Sequence, residues 1–281
     1  MNPSQNYTSK LYLEPVIYPG DDKTTYFVPQ AAVNEIIAAG HIPEISIKDF
    51  QFAENGPKIA VLLTRDKHPD RELADYSMTV ALLEAISLSG GRPCFVTYET
   101  TGEQLEAFKP DGILLPGGAF DVPLDWEVNE PEHPVSLARC NAYLANIEYA
   151  KKYKLPLLGI CGGMQVLACY FGARITRVSG HKIAFKEPAH KVNVAAGSLL
   201  EQITGKEFDV NSWHSWAVSS KHLGNNLAHF SPDNIVEAIE PRQAWHRFVL
   251  GIQSHPEYFV KKGHQPSVDI FKTFIKECIC G

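Results

Sequence analysis

A cysteine between an apolar strand and a helix is the first residue in this sequence whose placement suits covalent chemistry. Cys161 follows the run LPLLGI and precedes MQVL, with Gly159, Gly162 and Gly163 around it. A side chain at such an elbow is exposed above the sheet, and the helix N-terminus supplies N–H groups and a positive dipole end that favour a thiolate. The glycines permit a sharp turn and leave space for a substrate. The alternative interpretation is a small buried hydrophobe beside a tight turn, the usual fate of a cysteine.

A histidine and a glutamate two residues apart offer the base that a thiol nucleophile needs. His255 and Glu257 flank Pro256 at the end of another apolar strand, in the run GIQSHPE. Residues two apart in an extended segment project to one face, so Glu257 can hold one imidazole nitrogen while the other faces Cys161. Taken alone, a His-Pro-Glu tripeptide is typical of a solvated loop, so its interpretation as a base depends on Cys161.

A glycine turn at the end of a third strand adds groups that acyl transfer requires. The run LLPGG ends at Gly118, and glycine allows a close approach of the backbone to a reacting group. Backbone N–H groups of Gly118 and Gly162 could together form an oxyanion hole for a tetrahedral acyl intermediate. A plain strand-ending turn is the competing interpretation of this segment.

Strands and helices that alternate along the chain must position these three segments. From about residue 58 onward, strand-like runs alternate with helical periodicity, which predicts an α/β fold with a mostly parallel central sheet and helices on both faces. Strands are predicted over Lys58–Thr64, Cys94–Tyr98, Asp111–Leu115 and Leu155–Ile160, and helices from Tyr76 to Gly90, over Pro134–Lys154 and from Cys161 to Gly172. Short strands near Lys191–Val194, Phe208–Asn211, Val236–Glu240 and Phe248–Gln253 predict an additional antiparallel edge, and a closing helix is predicted from Pro266.

The first 57 residues fit no motif, although they contain one helical stretch, Gln30–Ala39. Asn34–Ser46 resembles Glu84–Val96 in an Ile, a Gly and a Pro at matched spacing. Because Gly and Pro often occur where a helix ends and a strand begins, we interpret the likeness as coincidence rather than as a repeat. The role of residues 1–57 stays open, a lid or a subunit contact included.

Composition and charge exclude several classes of partner. The 281 residues carry 26 basic and 32 acidic side chains, a net charge of −6, and no stretch concentrates Lys and Arg, which argues against nucleic acid. No apolar run reaches the roughly 18 residues of a membrane-spanning helix, and Met1–Lys10 lacks the order of a signal peptide, so we expect a cytoplasmic protein without membrane association.

Cysteine and histidine spacing gives no sign of a cross-link or a metal. Six cysteines without C-x-x-C spacing are expected to stay reduced. His181, His190 and His214 lack the paired spacing of a zinc site, and His190 is expected to begin a strand. We therefore expect no metal.

Together, the three segments resemble the class I glutamine amidotransferase-like family, whose nucleophile segment reads roughly G-x-C-x-G-x-Q and whose base segment reads H-P-E. Within that family, the ordered motifs LLPGG, LGIC-x-GMQ, VNS-x-H and G-I-Q-x-HPE most resemble the γ-glutamyl-γ-aminobutyrate hydrolase branch, peptidase family C26. The resemblance covers about residues 58 to 275. It divides the chain into an unassigned N-terminal extension, residues 1–57, and an amidotransferase-like domain, residues 58–281.

This resemblance implies a flavodoxin-like three-layer α/β/α sandwich. It also implies a γ-glutamyl thioester on Cys161 and a catalytic triad completed by His255 and Glu257, with Gly118 and Gly162 donating to the oxyanion. No metal or organic cofactor is needed for this chemistry, and the partner is a small γ-glutamyl substrate.

On the substrate side, the resemblance implies that Gln165 and the backbone of Ser215 and Trp216 lie near the α-amino and α-carboxylate groups of the glutamyl moiety. The hydrolase branch commonly has Arg where Gly162 stands, His-Gln in place of Ser215-Trp216 and Trp in place of Ser254. None of these departures removes a triad group. The leaving amine is left open.

The function that this resemblance implies is a cysteine hydrolase that cleaves the γ-glutamyl amide bond of small γ-glutamyl compounds and releases glutamate. The nearest alternative is a glutaminase subunit that delivers ammonia to a separate synthase chain. A second alternative is a binding or regulatory relative that keeps the fold without activity. The oligomeric state, a homo-oligomer included, stays open.

Overall fold

The computed structural model describes residues 8–17, 24–48, 50–67, 74–118, 124–128 and 137–280. In chain order, the strands are β1 (Thr8–Tyr12), β2 (Glu14–Ile17), β3 (Thr24–Val28), β4 (Ile42–Ser46), β5 (Lys58–Leu62), β6 (Thr64–Lys67), β7 (Ala74–Thr79), β8 (Arg92–Val96), β9 (Gly112–Leu115), β10 (Leu157–Ile160), β11 (Ile175–Arg177), β12 (Lys182–Ala184), β13 (His190–Asn193), β14 (Glu207–Val210), β15 (Ser212–Trp213), β16 (Trp216–Val218), β17 (Asn226–Phe230), β18 (Val236–Pro241) and β19 (Val249–Ile252). The helices are α1 (Gln30–Ala38), α2 (Val80–Leu88), α3 (Thr101–Phe108), α4 (Ala138–Tyr153), α5 (Gly162–Tyr170), α6 (Leu199–Thr204), α7 (Glu257–Val260) and α8 (Gln265–Cys280), with a 3-10 turn at Leu124–Trp126.

The central sheet has the strand order β14-β13-β17-β18-β19-β10-β9-β5-β8. The pairs from β19 to β8 are parallel, and the pairs from β14 to β19 are antiparallel. A run of parallel strands extended by an antiparallel edge is the architecture that the sequence predicts. The prediction of an α/β fold is confirmed.

Alternate residues of the parallel strands face two apolar clusters, which makes the fold a three-layer sandwich. In β5, Ile59 and Val61 face the cluster covered by α2 and α8, whereas Ala60 and Leu62 face the cluster covered by α3, α4 and α5. Because these side chains are buried on both faces, β5 is a continuous apolar run without polar alternation. The sheet is therefore a rigid platform for the loops at its edge.

The three segments of interest follow three neighbouring parallel strands. Pro116–Gly118 follows β9, Cys161 follows β10, and Gln253–Glu257 follows β19. Since β9, β10 and β19 are adjacent and parallel, their carboxyl ends meet at one edge of the sheet. Ligands of open α/β sheets bind at this edge.

The N-terminal residues form a second copy of the unit that opens the central sheet. The order β1, β2, β3, α1, β4 recurs as β5, β6, β7, α2, β8, with matching positions fifty residues apart, as Thr8 and Lys58 are. The parallel pairing of β1 with β4 has the register of β5 with β8, and the hairpin of β2 with β3 has the register of β6 with β7. Between the copies β3 pairs antiparallel with β7, and Phe27 faces its own counterpart Ser77. A local twofold axis therefore relates the two units.

Interpreting the likeness of the two segments as coincidence was wrong. The residues that match at this spacing include the pairs Leu13 and Leu63, Tyr26 and Tyr76, Ala31 and Ala81, Ile36 and Ile86, Gly40 and Gly90, and Pro43 and Pro93. Gly40 and Gly90 each end a helix at positive φ, 76° and 92°, where a side chain would be strained. The other positions are under weaker constraints, so most of them have diverged. The division of the chain at residue 58 stays a prediction.

Tyr76, predicted as the start of a helix, lies in β7 instead. Its helix, α2, begins at Val80. Tyr76 is fully buried, and its hydroxyl donates to Glu99 and accepts the Tyr98 N–H at 2.9 Å. Pairing of β7 with β3 on one side and β6 on the other outweighs the helical spacing of three apolar residues.

Other predicted elements differ mainly at their ends. The helix predicted over Pro134–Lys154 is α4, and its first residues lie outside the described ranges. All six cysteines are free. No helix in the described part of the chain combines the length and apolar character needed to cross a bilayer.

Candidate active site

Cys161 occupies a strained turn between β10 and α5. Its φ of 48° and ψ of −106° lie outside the regions that residues with side chains favour. The Cys161 N–H donates to the Ile252 carbonyl at 2.7 Å, and its carbonyl accepts the Gln165 N–H at 3.0 Å. A Cβ at Gly163 would lie 2.2 Å from the Leu115 oxygen, so glycine is required there. The turn is thus fixed from both neighbouring strands.

The imidazole of His255 is held by Glu257 on the side away from the cavity. The His255 Nδ1 atom lies 2.7 Å from Glu257 Oε1, and both residues are buried. Glu257 begins α7, so its side chain turns back towards the loop that carries His255. The close contact fixes the ring orientation and leaves Nε2 as the nitrogen available for another partner.

Opposing effects act on the pKa of His255. Burial lowers it, because the imidazolium is disfavoured away from water. The charges of Glu257 and Cys161 and the hydrogen bonds to both act in the other direction and prevail, raising the pKa to about 10. His255 therefore carries a proton at neutral pH.

Asn211 fixes the backbone of His255. Its Oδ1 accepts the His255 N–H at 2.7 Å, and its Nδ2 donates to the His255 carbonyl at 2.9 Å and to the Phe185 carbonyl at 2.6 Å. The Phe185 ring also lies against the imidazole, with centroids 5.2 Å apart. Both the position and the tilt of His255 are thereby constrained.

The glycine turn after β9 packs directly on the catalytic candidates. A Cβ at Gly117 would lie 2.4 Å from His255 Cε1 and 3.2 Å from Cys161 Cβ. The Gly117 carbonyl accepts a hydrogen bond from Arg139 at 2.8 Å, and the preceding carbonyl accepts one from Tyr143 at 2.6 Å. Two residues of α4 thus hold this turn against the ring.

The buried side-chain amides of Gln165 and Gln253 are hydrogen-bonded to each other beside the Cys161 thiol. Gln165 Nε2 donates to the Trp216 carbonyl at 2.7 Å and to Gln253 Oε1 at 3.1 Å. Gln253 Nε2 lies 3.6 Å from the Cys161 sulfur. The Trp216 carbonyl also contacts His214 Nδ1 at 3.0 Å, so both of its lone pairs are used. A contact of Trp216 with a substrate would therefore come from its N–H or its ring.

A cavity of about 490 Å³ collects nearly all of the predicted site residues. Those that line it are Gly118, Cys161, Gly162, Gln165, Ser215, Trp216 and His255. Glu257 lies behind His255. Gly162 is the first residue of α5, so its N–H is one of the helix donors without an intrahelical acceptor.

The family model of Peptidase C26 matches residues 57–257, which is more than half of the chain. The chain belongs to the peptidase C26 family. A protein of Schizosaccharomyces pombe, named provisionally as a glutamine amidotransferase, is 33% identical over 69% of this C26 chain and 79% of its own length. The γ-glutamyl-γ-aminobutyrate hydrolase of Escherichia coli is 28% identical over 80% of this chain and 94% of its own.

Among solved structures, the glutaminase domain of Trypanosoma brucei CTPS with bound acivicin has a TM-score of 0.56. It is 16% identical, and the match covers 80% of the C26 chain and 94% of that domain, so it supports the fold alone. The flavodoxin-like prediction is confirmed. With the C26 match, the protein is a glutamine amidotransferase-like hydrolase.

Several residues of the C26 site were not identified from the sequence. Arg177 and Lys182 add two cations to the cavity, and Asn211, Gln253 and Arg139 support it from behind. Asn211 and Gln253 lie inside the quoted motifs VNS-x-H and G-I-Q-x-HPE, which was a signal that they face the site. Arg139 and the two cavity cations have no such signal, because they approach from elements distant in sequence.

Proposed function

We propose that this C26 protein hydrolyses the γ-glutamyl amide bond of small γ-glutamyl compounds through a thioester on Cys161. The supporting observation is the grouping of Cys161, His255 and Glu257 at the carboxyl ends of neighbouring parallel strands. The cavity beside them is lined by two cationic side chains, those of Arg177 and Lys182. A nucleophile, a base and a group that orients the base are the parts that acyl transfer requires.

In the first step, the Cys161 thiolate attacks the γ-carbonyl carbon and a tetrahedral oxyanion forms. The N–H groups of Gly118 and Gly162 donate to that oxygen. His255, protonated at neutral pH, gives its proton to the leaving amine as the C–N bond breaks, which leaves a γ-glutamyl thioester. Glu257 stabilises the imidazolium and fixes its orientation.

In the second step, His255 removes a proton from water, and the resulting hydroxide attacks the thioester carbon. Collapse of the second oxyanion breaks the C–S bond, releases glutamate and restores the thiolate, and His255 keeps the proton that it took from water. The new carboxyl group loses its proton to solvent and the released amine takes one up, so one amide and one water become a carboxylate and an ammonium.

The cavity suits a substrate with a free α-carboxylate. Arg177 and Lys182 supply positive charge at its wall, and the Arg177 guanidinium lies 4.9 Å over the Trp216 ring, which holds it in place. Gln165 has committed both amide hydrogens, so its Oε1 atom is the group that can accept a hydrogen bond from the substrate α-amino group.

The proposal is tested by mass-spectrometric product analysis with a panel of γ-glutamyl amides, including glutamine and γ-glutamyl-γ-aminobutyrate. We expect wild type to release glutamate and Cys161→Ala to release none. Cys169→Ala is the matched control, since Cys169 is also a buried cysteine associated with α5 but does not line the cavity. Hydroxylamine should trap the thioester as the γ-glutamyl hydroxamate in wild type and in Cys169→Ala but not in Cys161→Ala.

The alternatives give different results in the same assay. A glutaminase subunit would be nearly silent alone and would gain activity with a synthase chain. A non-catalytic relative would bind γ-glutamyl compounds without turnover in any variant. Equal glutamate release by wild type and Cys161→Ala would overturn the proposal.

A further inference from the structure

Three histidines and a glutamate meet in the antiparallel half of the fold, although they come from four separate segments. Glu237 Oε1 lies 3.4 Å from His190 Nε2, 3.6 Å from His181 Nδ1 and 3.8 Å from His214 Nε2. Glu237 lies in β18 and is 1% exposed, while His181 and His214 are also buried. We call these four residues the histidine cluster.

Several polar atoms of this cluster have no hydrogen-bond partner among the described residues. They are His190 Nε2, His214 Nε2 and both carboxylate oxygens of Glu237. A buried carboxylate with neither oxygen satisfied is costly, because it has lost its water without replacement. A cation bound at Glu237 would compensate this loss.

The outward nitrogen of each ring already has an oxygen partner. His181 Nε2 lies 3.0 Å from Asp233 Oδ2, His190 Nδ1 lies 3.2 Å from the Lys191 carbonyl, and His214 Nδ1 lies 3.0 Å from the Trp216 carbonyl. Carbonyl and carboxylate oxygens accept, so the outward nitrogens carry hydrogens, and in the neutral form of each ring the inward nitrogen has a free lone pair. Metal-binding histidines are characteristically fixed in this way.

The inward atoms then present only electron pairs to one another. The Ser212 hydroxyl lies 3.1 Å from His181 Nδ1 and 2.9 Å from the His181 carbonyl, so its single proton serves one of these two acceptors. Three imidazole nitrogens therefore face one carboxylate oxygen, and two of them, those of His190 and His214, have no hydrogen-bond partner among the described residues. Converging lone pairs repel unless a cation lies between them.

We propose that the histidine cluster binds one divalent cation of the zinc class. His181, His214 and Glu237 hold ligand atoms within 4.8 Å of one another, and His190 Nε2, 3.4 Å from Glu237 Oε1, would supply the fourth ligand of a set that suits Zn²⁺. Ligand atoms about 2.0–2.1 Å from a tetrahedral Zn²⁺ lie roughly 3.4 Å apart, close to the separations around Glu237 Oε1. Because every position would be taken by protein, the ion is structural rather than catalytic.

The ion would fix one wall of the cavity. His214 lines the cavity and immediately precedes Ser215 and Trp216, and Glu237 lies on β18 next to β19. A cation between them ties the cavity wall to the central sheet. This role is independent of whether the substrate is a γ-glutamyl amide.

The test is direct metal binding by the full chain, first freed of metal with a chelator. We expect one equivalent of Zn²⁺ in a competition titration, and one equivalent of Co²⁺ with the visible absorption of a tetrahedral ion. Glu237→Gln should weaken Zn²⁺ binding at least a hundredfold. Asp233→Asn changes an exposed residue that supports His181 and keeps the size of its side chain, and it should weaken binding about ten- to a hundredfold.

His229→Gln is the matched control. His229 is fully buried beside Glu240, 3.3 Å away, on the neighbouring strands β17 and β18, yet lies outside the cluster. It should bind Zn²⁺ as wild type does. Binding of less than one-tenth of an equivalent by wild type in excess Zn²⁺ overturns the proposal and indicates that protons neutralise the cluster. Unchanged affinity in both Glu237→Gln and Asp233→Asn overturns it as well, by locating the metal elsewhere.

Discussion

Asn211 bonds both backbone polar groups of His255, accepting from its N–H at 2.7 Å and donating to its carbonyl at 2.9 Å. Asn211 directly follows β14, so its side chain fixes the backbone position of the proposed base, His255, relative to Cys161. Because the loop after β19 has no regular ladder at this point, the Asn211 amide replaces the missing strand partner. The contact links the antiparallel edge of the sheet to the chemistry of its parallel half.

Asn211→Asp should lower kcat more than it lowers stability. The change keeps the acceptor but removes the two donors, which leaves the His255 and Phe185 carbonyls facing a carboxylate. We expect unfolding to become easier by about 1–3 kcal/mol and kcat on a γ-glutamyl amide to fall up to about a hundredfold, as His255 shifts. Steady-state kinetics and denaturant unfolding measure both.

Asn226→Asp is the control for that variant. Asn226 is equally buried and its Nδ2 also donates to two carbonyls, those of Ala168 and Leu223, but it lies away from the cavity. It should lose similar stability and keep its kcat. Equal loss of kcat in the two folded variants would contradict a positioning role for Asn211.

Gly117→Ala should displace the imidazole without removing any catalytic group. The new Cβ would lie 2.4 Å from His255 Cε1, so the ring or the turn must move. We expect kcat to fall at least tenfold, with the substrate KM changed much less. Gly102→Ala in α3 serves as the control, because its Cβ would meet no atom within 4 Å. Unchanged kcat in Gly117→Ala would mean that the ring has room to move without cost.

The charge of Glu257 should be visible in the titration of His255. Glu257→Gln removes the largest of the effects that raise the pKa of His255, so the NMR midpoint should move down from about 10. His264 provides a reference in the same spectrum, since burial lowers its pKa and the charge that opposes this effect is that of Asp209 rather than Glu257. A His255 midpoint that does not move would show that Glu257 is not its electrostatic partner.

The free energy of unfolding should also depend on the protonation of His255. Folded His255 holds its proton more tightly than unfolded His255, whose pKa is near 6.5. Its contribution is therefore fully present below pH 6.5 and is lost as the pH rises towards about 10. The free energy of unfolding should decline more steeply over that window in wild type than in Glu257→Gln. Parallel pH profiles of the two proteins would count against the assignment.

The sequence predicted the parts of the fold that depend on local pattern. β5, β9 and β10 are continuous apolar runs, and the segments around Cys161, Gly118 and His255 have the strand-then-turn order that puts them at one sheet edge. Even β13 begins at His190 as expected. These features need only periodicity and turn chemistry, which neighbouring residues determine.

Features that depend on contacts between distant segments escaped prediction. β17 contains buried polar residues, Asn226 and His229, so it lacks the apolar alternation of a strand. The histidine cluster draws its members from four segments, so their spacing resembles no zinc motif. Arg139 supports the glycine turn from α4, and nothing near it in sequence indicates that role. In each case the residues that make the deciding contacts lie far apart in the sequence, so the local pattern does not reveal the role.

The N-terminal unit should unfold together with the rest of the chain. Val33 of α1 is fully buried, and its cluster is continuous with Ile59, Val61 and Leu83 around the central sheet. Because β3 also pairs with β7, the two copies share both apolar contacts and backbone hydrogen bonds. Val33→Ala should therefore cost about 2 kcal/mol within one cooperative transition rather than create an early one.

Calorimetry of three variants tests this coupling. Leu83→Ala makes the equivalent change in the second copy, since Leu83 occupies the position of α2 that Val33 occupies in α1, and should lower the same transition. Asn34→Ala lies on the exposed side of α1 and should leave the midpoint unchanged or slightly higher, because alanine favours helix. A separate low-temperature transition that responds to Val33→Ala alone would show that the first copy folds independently of the sheet it covers.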